Sequence, residues 1–314
     1  MSIEASTDNA TLIQLQQTPI DAVLNSIDQS MVHLPTYREL YYRWERQQWR
    51  TQDIDFIPDR IQWEDMPEKE QEKYFYDMSP FFQGEASVTD ALSPYVLAVP
   101  DAEMRLFLTT QLVDEARHTI FFNRFFEEVM GVNEGRLEET LALAREYMNP
   151  SSRYLLIDAL SEAANRIRQE PGNITHLIRG VSLYHVIIEG TMALASQRAL
   201  LESYRQDNIF PGFRGGFTAI ARDESRHVIF GVKFLRDMIQ QNPTHAGHIH
   251  TALAHYAPSA IQALMPREEM IPDMLALGED PWLRARYARQ SLQKKLKVIG
   301  LSMELPAISQ TFNQ

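Results

Sequence analysis

Asp114-Glu115-Ala116-Arg117-His118 recurs as Asp223-Glu224-Ser225-Arg226-His227, one pentapeptide written twice with a single change at its middle position. In a helix, residues three apart share a face. Glu115 with His118, and Glu224 with His227, can therefore each grip one ion. Carboxylate plus imidazole suits iron or manganese better than magnesium, which prefers an all-oxygen shell. Working outward, one lone glutamate precedes each pair: Glu85 lies 30 residues before Glu115, and Glu189 lies 35 residues before Glu224. Each spacing fits a helix, a short turn and a return along a second helix. Solvated helix faces would carry the same residue types, but the flanks here are apolar. Leu106, Phe107 and Leu108 precede the first pair, Ile120, Phe121 and Phe122 follow it, and Val228, Ile229 and Phe230 follow the second. Ionisable groups in such surroundings are costly unless paired or metal-bound.

Two helices giving Glu and two giving Glu-x-x-His make up the ligand set of di-metal carboxylate bundles. Four carboxylates and two imidazoles are close to neutral with two divalent ions and leave positions open for oxygen or a ligand. Asp223, next to Glu224, is placed to orient a histidine. Asp114 fits the same role and equally fits a solvated charge.

Composition narrows the rest. A chain of 314 residues buries a sizeable core, and a net charge of −12 argues against nucleic acid. With no cysteine, disulfides, zinc-thiolate sites and thiol catalysis are excluded. No signal peptide is apparent and no stretch approaches the length of a membrane span, so the expected address is cytoplasmic.

Along the chain, strand alternation is absent and the expected class is all-α. Residues 1–10 read as a disordered start and 11–314 as a single helical domain. Residues 11–31 suggest a short amphipathic helix, and Tyr37 to Trp49 a helix packing most of its aromatic rings on the core. Residues 51–65 read as a loop, Pro67 as a helix opening, and Pro94 as a break. Pro100-Asp101, Asn149-Pro150-Ser151 and Pro171-Gly172-Asn173 mark further boundaries. Pro211-Gly212 and Gly215-Gly216 lead into the second Glu-x-x-His helix, and breaks at Pro266, Pro272 and Pro281 divide the remainder. The hairpin-plus-pentapeptide repeat looks like a duplicated two-helix unit. His245, His248 and His250 read as a surface cluster rather than a metal site, and His185 as a core histidine.

The six-residue set, from about Tyr37 to Asn242, resembles the ferritin-like superfamily and within it the ribonucleotide reductase small-subunit group. The resemblance implies a ferritin-like four-helix bundle with additional helices. It also implies a Trp49–Asp223–His118 relay, since Trp49 stands 36 residues before Glu85. Three departures from the reductase pattern matter. The radical-tyrosine position is Phe122, the first ligand is glutamate rather than aspartate, and no tyrosine follows Tyr287. The chain is more similar to the R2-like ligand-binding oxidases, which pair a valine three residues after the first glutamate with a tyrosine five before the third. Those positions hold Val88 and Tyr184.

This second resemblance implies a Mn/Fe cofactor, with di-iron as the alternative. Manganese would be held by Glu85, Glu115 and His118, and iron by Glu189, Glu224 and His227, with Glu115 bridging. It further implies O2 as oxidant, a Val88–Tyr184 ether cross-link, a long-chain fatty acid or similar apolar ligand, and a homodimer. The competing readings are a ribonucleotide reductase small subunit and a non-catalytic metal- or lipid-binding protein.

Overall fold

Short polar side chains start the long helices. Asp101 accepts hydrogen bonds from the backbone N–H groups of Glu103 and Met104 at 2.8 and 3.2 Å, opening the Glu115 helix, Ala102–Glu128. Asn173 does the same for Thr175 at 3.1 Å and opens the Glu189 helix, Ile174–Gln206. Each such cap contributes about 1 kcal/mol. Pro67 precedes the Glu85 helix, Glu68–Ala91, which ends before Pro94 in the first turn of Ser93–Ala98. The Glu224 helix, Pro211–Gln241, is capped from outside: Asp59 accepts from the N–H groups of Gly212 at 2.8 Å and Phe213 at 2.7 Å.

The structure is a computed structural model that describes residues 7–132, 135–276, 280–305 and 308. Among them there is no strand, and the class is all-α. The Glu85 and Glu115 helices pack as one hairpin, the Glu189 and Glu224 helices as a second, and the hairpins close on each other with the ligand candidates inside. Leu12–Gln17 and Ile20–Val32 pack on the Glu224 helix, and Tyr37–Arg46 packs on the Glu115 helix. His245–Ala263 and Leu283–Ile299 cover the outer side of the Glu189 helix.

Several elements differ from the sequence reading. Residues 51–65 hold a helix, Ile57–Glu64, because Pro58 lies in its first turn, where a missing N–H costs nothing. The segment from 11 to 31 is two helices with Pro19 between them. Gly215 and Gly216 lie inside the Glu224 helix rather than before it. A Cβ on Gly216 would come within 2.2 Å of Phe121 Cε2 and 2.8 Å of Ile54 Cδ1, so this glycine lets the two hairpins approach. Residues 7–10 are held in place: Arg222 donates to the carbonyls of Thr7 and Ala10, and Gln47 donates to Asp8. Residues 1–6 of the expected disordered start lie outside the described residues.

The Glu189 helix is also long and apolar enough to cross a membrane by length and composition, contrary to the reading that no stretch approaches that length. Nearly all of its apolar stretch is buried in the protein, as befits a central bundle helix.

Candidate metal centre

Two overlapping groups of side chains meet at the centre of the bundle. Glu85, Glu115, His118 and Glu224 form one, and Glu115, Glu189, Glu224 and His227 the other; within each, one ligand atom per residue lies within 4.8 Å of the rest. His118 Nδ1 stands 3.3 Å from Glu85, 3.8 Å from Glu115 and 3.4 Å from Glu224. His227 Nδ1 stands 3.2 Å from Glu115 and 3.4 Å from both Glu189 and Glu224. Both Glu115 and Glu224 belong to both groups, whereas the sequence reading gave the bridging position to Glu115 alone. All six residues are buried.

Burial pushes the Glu85 and Glu189 carboxyls well above their ordinary range. It opposes ionisation of Glu115 too, but the facing imidazoles of His118 and His227 outweigh it and hold that carboxyl well below the usual value. The two imidazoles are pushed up despite burial, chiefly by Glu85 for His118 and by Glu224 for His227. A cluster of this kind holds protons in place of cations. Glu189 Oε2, Glu224 Oε2 and His227 Nδ1 are buried without any hydrogen-bond partner. Orphaned atoms aimed at a shared centre, in a nitrogen-and-oxygen donor set, fit two transition-metal ions.

Behind each histidine lies an aspartate from the other pentapeptide. His118 Nε2 is 3.3 Å from Asp223, and His227 Nε2 is 3.2 Å from Asp114. Arg226 donates to Asp114 at 2.7 Å and to Asp223 at 2.8 Å, while Arg117 donates to Asp223 at 3.0 Å and closely to Asp114. Two aspartates and two arginines thus close a square, buried except at Arg117, that fixes both imidazoles. Asp114 is not a solvated charge. Trp49 Nε1 donates to Asp223 at 2.8 Å, so Trp49, Asp223 and His118 form a continuous hydrogen-bonded chain.

Tyr184 lies beside the cluster, its hydroxyl donating to Glu115 at 2.7 Å and accepting from Gln111 Nε2 at 2.7 Å. The same amide stands 3.2 Å from Glu189. Gln111 Oε1 is in turn 3.2 Å from His185 Nε2, and burial lowers that imidazole to about 3, leaving it neutral and able to donate. In an α-helix, Tyr184 and Glu189 would point about 140° apart, at 3.6 residues per turn. The segment Ser182–Ala193 is instead wound as a π-helix, and its wider turns bring both residues to Gln111. Periodicity carries no signal for this winding, and neither Gln111 nor the arginines stood out in the sequence. Val88 is buried on the Glu85 helix, and Phe122 is enclosed by the rings of Phe81, Phe82, Phe121 and Phe217. His245 and His248 lie at the start of an outer helix with His250 exposed beyond them, and none of the three joins a metal-capable group among the described residues.

Helix bundle, twinned Glu-x-x-His faces and paired lone glutamates define a ferritin-like carboxylate protein. The ribonucleotide reductase small-chain family matches residues 28–261, and the chain belongs to that family. Solved structures give the same fold. A variant of an R2-like ligand-binding oxidase with anaerobically reconstituted Mn/Fe cofactor is similar at a TM-score of 0.74 and 23% identity, over 86% of this chain and 94% of that chain. A second variant, holding a non-activated Mn/Mn cofactor after aerobic reconstitution with Mn and Fe, is similar at 0.73 and 23% identity over the same shares.

Proposed function

We propose that this chain is a Mn/Fe-dependent oxidase that uses O2 to remove two electrons from a C–H-bearing apolar molecule. The observation that carries the reading is the placement of a phenol, Tyr184, in hydrogen-bond contact with Glu115 at the centre, while the family's radical-tyrosine position is a phenylalanine packed among rings. Glu85, Glu115, His118 and Glu224 would hold manganese, and Glu115, Glu189, Glu224 and His227 iron; a di-iron pair fits the same donors. Bound there, the ions supply O2 activation and storage of electrons.

The side chains do the rest. The arginine–aspartate square keeps both Nδ1 atoms aimed inward, and the phenylalanine layer excludes water. Gln111 fixes the Tyr184 hydroxyl, whose proton has a path to Glu115. Joining Val88 Cβ to the Tyr184 oxygen removes one hydrogen from each, so two electrons and two protons leave and one C–O bond forms, with O2 as the acceptor. Support for an apolar ligand such as a long-chain fatty acid comes from the ligand-binding relatives and the apolar bundle interior. Support for a homodimer comes from Leu106, Val113 and Ile120, exposed by 59%, 49% and 45% at seven-residue spacing along the Glu115 helix.

Peptide mass spectrometry on protein loaded with Mn and Fe and exposed to air tests the proposal. The expected product joins the Val88 and Tyr184 peptides with two hydrogens lost. Separate peptides from a fully metal-loaded sample would overturn the cross-link and favour a radical-generating or passive binding role.

A further inference from the structure

Two tryptophans stand in matching relation to the two halves of the site. Trp49 reaches His118 through Asp223. Trp44 Nε1 donates to Asp114 Oδ1 at 2.9 Å, and Asp114 Oδ2 lies 3.2 Å from His227 Nε2. The second chain is the mirror of the first across the duplicated pentapeptides, and it ends on the other imidazole. Nothing in the spacing of Trp44 relative to the ligands announces it, because the aspartate it meets belongs to the opposite hairpin from the histidine it serves.

The two chains differ in their outer ends. Trp49 is buried, its ring neighbours are His118 and Phe121, and the Arg117 guanidinium covers it at 5.0 Å. Trp44 is half-buried. Its ring centre is 5.9 Å from that of Tyr41, which is 6.2 Å from that of Tyr42, and Tyr42 is 48% exposed. The Trp44 chain therefore continues outward through oxidisable rings to solvent.

An oxidase of the proposed kind needs such a path. Reducing one O2 to two waters consumes four electrons and four protons. Removing two hydrogens from an organic molecule supplies two of each, solvent supplies the other two protons, and a bound metal pair would supply the other two electrons, one per ion. Before the site can act again, those two electrons must return from outside, one at a time.

We propose that Trp44 relays them. The inference rests on the oxidase reading above. An external one-electron donor is oxidised at the Tyr42–Tyr41 side, and one electron passes through Trp44, Asp114 and His227 to the oxidised pair; a second transfer restores the site. No bond forms or breaks in the relay. The Asp114 carboxylate, hydrogen-bonded to the indole N–H and facing His227, makes the path from ring to imidazole continuous without the ring itself being oxidised. The ordinary alternative is that Trp44 merely satisfies a buried carboxylate.

Stopped-flow mixing of air-oxidised, Mn/Fe-loaded protein with reduced methyl viologen, a coloured one-electron donor, separates these. Trp44→Phe is expected to slow viologen oxidation at least about tenfold, a clear rise in the transfer barrier, with metal content retained. Trp44→His keeps a ring N–H for Asp114 but loses the larger ring that meets Tyr41, and is expected to be equally slow. Tyr42→Phe is expected to give a smaller slowing. The total number of electrons taken up per site at long times should equal the wild-type two in every variant. Wild-type rates in both Trp44 variants would overturn the relay. So would a slow Trp44→Phe beside a wild-type Trp44→His, which would assign Trp44 a purely structural part. A wild-type sample that never becomes oxidised in air, and so consumes no viologen, would instead overturn the oxidase reading and the relay with it.

Discussion

Replacing Asp223 by asparagine tests the arginine–aspartate square most sharply. The carboxylate is fully buried and collects Arg226 on one oxygen, and Trp49 and Arg117 on the other, with His118 Nε2 at 3.3 Å. Burial alone would raise its pKa, but the charges of Arg226 and Arg117 hold it well below the ordinary range. Asparagine offers one oxygen and one amide donor, so in either orientation its NH2 faces a guanidinium or an indole N–H. Removing one partner from a buried ion pair costs about 3–5 kcal/mol. Asp114 still contacts both arginines, which places Asp223→Asn at the lower end, about 3 kcal/mol. His118 also loses its anchor, and a metal-bound histidine without its outer partner typically loses about 10–100-fold in metal affinity. Urea unfolding of the metal-free protein measures the first effect, and chelator competition with Mn or Fe measures the second. A loss below about 1 kcal/mol, the range of exposed pairs, together with unchanged metal affinity, would refute the claim that the square fixes the histidines.

Lys295 is buried with Ser291 as its hydrogen-bond partner, and burial lowers it from 10.5 to about 7. Between those values the unfolded chain binds the extra proton, so stability should rise with pH by up to about 1.4 kcal/mol per unit above pH ~7, and be lost as pH falls through ~7. Lys295→Met should flatten that slope in denaturation curves taken from pH 6 to 9, and an unchanged slope would count against it. Gly231→Ala would place a Cβ 2.2 Å from His185 Cβ, which cannot swing aside, so about 1–3 kcal/mol of overpacking is expected in thermal or urea melts; a neutral variant would mean the Glu189 helix gives way freely. Because burial raises Glu85 and Glu189 in the metal-free protein, metal binding should release protons and tighten as pH rises. Calorimetry in buffers of different ionisation enthalpy should show that release, and metal at a hundredfold excess over its Kd should stabilise the fold by about 2.7 kcal/mol.

The helical class and the six-residue cluster were legible because helix periodicity converts spacing directly into a shared face. Glu115 with His118, and Glu224 with His227, follow from i to i+3 alone, and the lone glutamates follow from hairpin length. The features that were not legible depend on contacts across the bundle. The crossing of Asp114 to His227 and Asp223 to His118, the Trp44 hydrogen bond and the closing of the arginine square arise only when the hairpins meet. Gly215 and Gly216 look like a turn in one dimension because close packing of helices calls for the same residue. The π-wound segment at Tyr184 escapes a reading based on regular helices, since no single residue type specifies the widened turn. The second shared carboxylate, Glu224, needed side-chain geometry rather than spacing.

Anomalous X-ray scattering at the Mn and Fe edges, from crystals of protein loaded with both metals, addresses the central claim directly. Two peaks are expected, one enclosed by Glu85, Glu115, His118 and Glu224 and the other by Glu115, Glu189, Glu224 and His227. A single ion, or metal bound away from these six side chains, would contradict it.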